Sequence, residues 1–222
     1  MKRSKAGKRL EETAKRVNTQ LGKKGMDMKI IGLTGGVGAG KSSVLAWMKE
    51  AYGAYIIVTD EVGHRLMEPG GASYERLVEA YGPGILGGDG TIQREQLANI
   101  VFQDEESVAK INAIVHPLVK KAVLEEIRRA EESGQYPYAV VESALLKEGG
   151  LLKLCDTVWY LYASADVRVQ RLMASRGYTK ERCVSVMDRQ LPETAFRRMA
   201  DAVIDNSGNF EETKRQIARL LG

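Results

Sequence analysis

The sequence predicts an α/β fold with a central parallel five-stranded sheet covered by helices on both faces, and three features carry that reading. Short runs rich in Ile, Val and Tyr at Lys29–Leu33, Ala54–Val58, Tyr138–Glu142, Thr157–Ala163 and Ala202–Ile204 alternate with helical patterns. Such alternation is the mark of parallel strands joined by helical crossovers. The first run leads straight into a glycine-rich loop and then a helix. The whole stretch between the second and third runs reads mostly helical, so a helical lobe is inserted into the sheet connectivity.

The first unit is the most specific. The apolar run Lys29–Leu33 is followed by Thr34-Gly35-Gly36-Val37-Gly38-Ala39-Gly40-Lys41-Ser42-Ser43 and then by the amphipathic Val44–Met48 within a helix read over Ser42–Ala51. Gly35 to Ser42 fits the P-loop pattern G-x-x-x-x-G-K-[ST], which refines the fold class to a P-loop NTPase three-layer fold. Glycines let backbone amides turn towards phosphate oxygens without a Cβ in the way. The helix that starts near Gly40 aims its free amides and positive dipole end at the same phosphates. Gly36, Val37, Gly38, Ala39, Gly40, Lys41, Ser42 and Ser43 are therefore the candidate ATP-binding residues. Lys41 can span the β- and γ-phosphates, and the Ser42 hydroxyl is the candidate Mg²⁺ ligand.

After the second strand comes Asp60, two residues beyond Ile56-Ile57-Val58. A carboxylate there can take the proton of an attacking hydroxyl or hold Mg²⁺ through water. It can equally cap the helix read over Glu61–Met67, and spacing alone leaves these readings open. Helical patterns follow at Tyr74–Tyr81, Arg94–Phe102, Asp104–Ile114 and His116–Ser133, separated by turns at Pro69-Gly70-Gly71, Tyr81–Gly84 and Gly87–Gly90. His116-Pro117 falls between two of these runs, where Pro reads as the first turn of a new helix. A second helical excursion over Asp166–Met199 carries Arg168, Arg171, Arg176, Arg182, Arg189, Arg197 and Arg198. In a phosphate-binding protein this is a candidate lid, although most of these arginines suit a solvated helix face equally well. Ligands of such sheets bind at the carboxyl ends of the strands. That edge should gather Gly35–Ser42, Asp60, Glu142–Leu146 and Asn206–Gly208. The expected organisation is a core over 28–66, 134–165 and 200–222, an acceptor lobe over about 67–133, and a lid over about 166–199.

Composition narrows the setting. Among 222 residues, 44% are hydrophobic, enough for a core. No apolar run approaches the ~18 residues of a membrane span, and the basic N-terminus lacks the apolar segment of a signal peptide. Cys155 and Cys183 show no metal spacing, which fits a reduced, cytoplasmic location. The net charge of +4 is misleading, because residues 1–27 hold nine Lys/Arg against three acidic residues, and the remainder is slightly acidic. That basic extension is expected to be disordered. It has no aromatic residue on which a base could stack, which argues against nucleic acid as a partner. Met28 stands directly before the first strand and would serve as a natural start. A monomer or weak oligomer is expected.

Residues 28–222 resemble the dephospho-CoA kinases from end to end. The motifs that carry the resemblance are Gly32–Ser42, Asp60 with His64, and Asp89–Arg94 followed by Leu97 and Val101-Phe102. They continue with Ile111–Val119 around His116-Pro117, Leu145-Leu146 with Glu148, Gln190, and Ala200–Gly208. The resemblance implies transfer of the ATP γ-phosphate to the ribose 3′-hydroxyl of dephospho-CoA, giving CoA and ADP. It makes Asp60 the general base and Arg171 the lid arginine that neutralises the transferring phosphoryl group. His64, Arg94, His116 and Leu145 become acceptor-binding residues, and Asn206 and Gly208 line the adenine. The alternative is a P-loop kinase of another hydroxylated acceptor, such as a nucleoside or nucleotide. The chain departs from the family pattern at four places: Val58 replaces the first Asp of Asp-x-Asp, Ala144 replaces Pro, Ser175 replaces Arg, and Phe196 replaces Lys or Arg. Arg176 and Arg197 stand one position later, but a neighbour on a helix points about 100° away.

Overall fold

A computed structural model describes residues 28–222; the extension at 1–27 lies outside the described residues. The sheet holds β1 (Lys29–Thr34), β2 (Tyr55–Val58), β3 (Tyr138–Glu142), β4 (Thr157–Tyr162) and β5 (Ala202–Asp205). All are parallel, in the order β2-β3-β1-β4-β5. The chain runs outward from β1 to β2, returns through β3, and crosses to β4 on the other side. The reversal places a crevice at the carboxyl ends of β1 and β3, where parallel sheets bind ligands.

Side-chain alternation along each strand divides the core in two. Ile31, Leu33, Val140, Trp159, Leu161 and Ile204 pack with Val44 and Met48 of α1 (Lys41–Tyr52) and Ile217 of α9 (Phe210–Leu221). Ile57, Ala139, Val141 and Val158 point to the other face, against Val123, Ile127 and Ala130. Every residue of β3 is buried, as expected of an inner strand covered on both sides. Its last residue, Glu142, is therefore a carboxylate at the buried end of an otherwise apolar run.

The inserted lobe has its own small core of Leu77, Ile85, Ile92, Leu97 and Val101. It is built from α3 (Tyr74–Tyr81), α4 (Arg94–Val101) and the first half of α5 (Glu105–Ser133). The two helices read on either side of His116-Pro117 are one helix, α5, with Pro117 inside it. Its first half is capped by Asp104, whose carboxylate accepts from the Ser107 amide at 2.7 Å. That half packs Val108, Ile111, Ile114 and Val115 into the lobe, while the second half packs into the sheet. With both halves anchored by burial, the helix tolerates the backbone hydrogen bond that proline removes, and the exposed Pro117 faces outward. Asp60 also shifts in context. β2 ends at Val58 and α2 spans Thr59–Leu66, so Asp60 lies in the first helical turn, with Val58 at the cap position. The second helical excursion forms α6 (Ala165–Arg176), α7 (Lys180–Asp188) and α8 (Glu193–Met199).

Candidate active site

The loop after β1 closes a tight cradle. Gly40 precedes α1 with φ 93°, a left-handed conformation that glycine adopts without cost. The Ala39 amide donates to the Gly36 carbonyl at 3.1 Å. Among the described residues, the amides of Gly38, Gly40, Lys41 and Ser42 have no protein acceptor. These orphan donors at a helix N-terminus form an anion site. Ser42 and Ser43 are exposed on the first turn.

Lys41 bends back over the loop. Its Nζ donates to the Gly35 carbonyl at 2.9 Å and stands 3.5 Å from Glu142 Oε1. Burial raises the Glu142 pKa above the ordinary carboxylate value, Lys41 opposes that rise, and the negative charge of Asp60 adds to it. Glu142 is thus electrostatically coupled both to the loop lysine and to Asp60. Sequence reading named Glu142 only as part of the ligand edge. A lone charge ending an apolar strand was the available signal.

Beyond Glu142 a cleft of about 260 Å³ opens between sheet and lobe, lined by Asp60, His64, Val115, His116, Ser143 and Leu145, among others. Four predicted site residues from three separate segments therefore meet in one cavity. Asp60 and His64 are one helical turn apart on α2, and His116 reaches the cleft from the middle of α5. Arg94 joins from the lobe, where its Nη1 donates to His64 Nε2 at 2.7 Å.

Arg171 and Asn206 reach the loop from the other side. Asn206 is buried. Its Nδ2 donates to the Ala39 carbonyl at 2.7 Å, and its Oδ1 accepts from the Thr213 hydroxyl at 2.7 Å. Both ends of the side chain are bonded to protein, so it braces the loop. Arg171 donates to the carbonyls of Ala39 at 3.2 Å and Asn206 at 2.7 Å, linking the loop to the segment after β5. Gly208 lies exposed in that segment, with open space where a side chain would stand. Arg168 and Gln190, read from sequence only as a candidate lid arginine and a motif residue, form a further clamp: Arg168 Nε donates to the Val37 carbonyl at 2.8 Å, its Nη2 donates to Gln190 Oε1 at 2.8 Å, and the Val37 amide donates to the same Oε1 at 2.9 Å.

The departures from the family pattern have local explanations. Phe196 is buried and stacks on Tyr160, with centroids 5.1 Å apart and planes 6° apart. Arg197 pairs instead with Glu193 at 2.6 Å and stands over the Tyr162 ring, so it does not take over a basic role facing the cradle. The Ser175 hydroxyl donates to the Arg171 carbonyl at 2.6 Å, while Arg176 lies over Tyr178. Val58 pairs with Glu142 in the sheet register.

Comparison with known proteins identifies the family. The dephospho-CoA kinase (CoaE) family model matches residues 29–212. The dephospho-CoA kinase of Geobacillus kaustophilus is 41% identical over 191 residues, spanning 86% of this chain and 94% of that one. A solved Thermus thermophilus structure superimposes with a TM-score of 0.73 at 30% identity, covering 87% of this chain and 96% of that one. The dephospho-CoA kinase of Campylobacter jejuni shares the fold, with a TM-score of 0.57 at 19% identity over 87% of this chain and 96% of that one. No helix among the described residues is long and apolar enough to cross a membrane.

Proposed function

Because the chain belongs to the dephospho-CoA kinase family, we propose that it moves the γ-phosphoryl group of ATP onto the ribose 3′-hydroxyl of dephospho-CoA through the residues assembled above. The observation that carries this division of labour is Glu142, which stands 3.5 Å from Lys41 beneath the phosphate cradle and directly precedes Ser143, which lines the cleft together with Asp60. The two substrates meet across that carboxylate.

The free amides of Gly38, Gly40, Lys41 and Ser42 hold the phosphate chain. Lys41 leaves the Gly35 carbonyl to follow the β- and γ-phosphates as charge builds on them. In the cleft, His64, Arg94 and His116 orient the acceptor nucleotide, and Leu145 covers its apolar side. Asp60 accepts the proton of the 3′-hydroxyl while that oxygen bonds to the γ-phosphorus and the bond to the β-γ bridging oxygen breaks. CoA and ADP leave, and the Asp60 proton passes to solvent. The work is positioning and charge stabilisation rather than covalent chemistry.

The residues also suit a magnesium ion. Ser42 offers a hydroxyl on the first helical turn, and Glu142 and Asp60 offer carboxylates, the hard oxygen donors Mg²⁺ prefers. Among the described residues no cluster of three or more His, Cys, Asp or Glu forms a protein-only metal site, in keeping with an ion held largely by substrate phosphates. Bound there, it would neutralise charge on the β- and γ-oxygens. The test is regiochemical. Dephospho-CoA should be phosphorylated and its 3′-deoxy analogue should not, with phosphorus NMR placing the new phosphate on the 3′-oxygen. Equal phosphorylation of the 3′-deoxy analogue would refute the proposed acceptor geometry.

A further inference from the structure

The Val37 peptide is gripped from outside the cradle by a closed ring of hydrogen bonds. Its carbonyl accepts from Arg168 Nε, its amide donates to Gln190 Oε1, and Arg168 Nη2 donates to that same oxygen. Arg168 comes from α6 and Gln190 from the turn between α7 and α8, so both partners belong to the lid segment.

A peptide group is planar and trans, so the carbonyl of one residue and the amide of the next point in opposite directions. Fixing the Val37 carbonyl towards Arg168 therefore turns the Gly38 amide away from the lid base, to the side where the cradle lies. The same geometry operates two peptides further on. The Ala39 carbonyl is held by Asn206 and Arg171, which turns the Gly40 amide inward. Two of the loop's free amides are thus aimed by donors that need never touch the nucleotide.

Arg168 is half-buried, and among the described residues it forms no ion pair. Its partners are neutral oxygens, and its guanidinium covers Gly36 so closely that a side chain there would collide with it. A positive charge consequently lies against the wall of the anion site, with Glu193 close enough to act on it but not ion-paired to it. Arginine suits this place because its fork reaches two acceptors in fixed directions, which a lysine ammonium cannot reproduce.

We propose that Arg168 and Gln190 are positioning residues for the triphosphate, coupling the lid to the orientation of the P-loop amides. The inference rests on the ATP site assigned to Gly36–Ser43. Arg168→Ala should raise KM for Mg-ATP by about ten- to a hundredfold, the worth of hydrogen bonds from a charged group, and leave KM for dephospho-CoA within about twofold of wild type. Gln190→Ala should act in the same direction, and the double variant should be no worse than Arg168→Ala, because the ring fails as one unit. Arg168→Lys keeps the charge but cannot hold both acceptors, so it should stay impaired, and it gives the same readout if the alanine variant does not fold. Unchanged KM for Mg-ATP in Arg168→Lys and Gln190→Ala would overturn the inference, as would equal rises in both KM values. If the wild-type chain bound no Mg-ATP in a direct titration, the site assignment itself would fall, and this inference with it.

Discussion

Lys41 Nζ stands 3.5 Å from Glu142 Oε1, and this pair joins the first strand's loop to the third strand's end at the centre of the sheet. Burial outweighs the lysine's help and raises the Glu142 pKa. The folded state therefore holds that proton more tightly than the unfolded chain. The stability this provides is complete below about 4.5, the ordinary value, and is lost as pH rises through the folded value. Glu142→Gln removes the titration, so its stability relative to wild type should climb as pH rises from about 4.5 and level off above the folded value. Denaturant melts of both proteins across acidic to neutral pH measure it, and a flat difference would contradict the assignment.

Lys41 is expected to be the costliest loop residue to lose. Lys41→Ala removes the cation assigned to the β- and γ-phosphates, and turnover should fall by about 10²–10³-fold. Steady-state ADP release checks this. A drop of only a few fold would mean the lysine stays with Gly35 and Glu142 during the reaction.

Asp60→Asn should retain Mg-ATP affinity and lose about 10²–10⁴ in turnover, the usual worth of a positioned base. The two effects are separable by titration and single-turnover kinetics. Near-normal turnover would remove Asp60 as the proton acceptor.

Asn206 offers a test of bracing. Asn206→Asp can still accept from Thr213 but sets a carboxylate oxygen against the Ala39 carbonyl, so KM for ATP should rise. Asn206→Ala removes the 2.7 Å acceptor of the buried Thr213 hydroxyl, leaving it the Asp205 carbonyl at 3.3 Å, and should cost about 1 kcal/mol of stability. If Asn206→Asp had an unchanged KM, the side chain would not be orienting the loop.

Restoring a basic residue at position 196 should harm the protein. Phe196→Lys removes a ring stacked on Tyr160 and places an ammonium in a buried site, at a cost of at least ~3 kcal/mol. A thermal melt unchanged from wild type would show that α8 can rotate to present the new side chain.

Much of this organisation was legible in the chain because it is local. The P-loop is contiguous, and β3 is bounded as read, since Tyr138–Val141 is a dense apolar run ending at a charge. Pro117 was misleading: proline alone signals a helix start, and only packing on both sides of it keeps α5 continuous. Asp60 moved from a strand end into a helical turn, a shift of one or two residues that spacing cannot resolve. The roles of Arg171 and Asn206 turned on which carbonyls they reach, and the clamp of Val37 by Arg168 and Gln190 joins segments remote in sequence. No local pattern encodes such contacts, because they arise when the sheet order brings α6 and the turn before α8 against the loop after β1.

The most direct measurement is ADP release by the purified full chain with Mg-ATP, comparing dephospho-CoA with adenosine, AMP and no acceptor, and weighing the product by mass spectrometry. The account predicts release that depends on dephospho-CoA and a product with the mass of CoA. Tight ATP binding with no dephospho-CoA-dependent release, or faster release with adenosine or AMP, would contradict it.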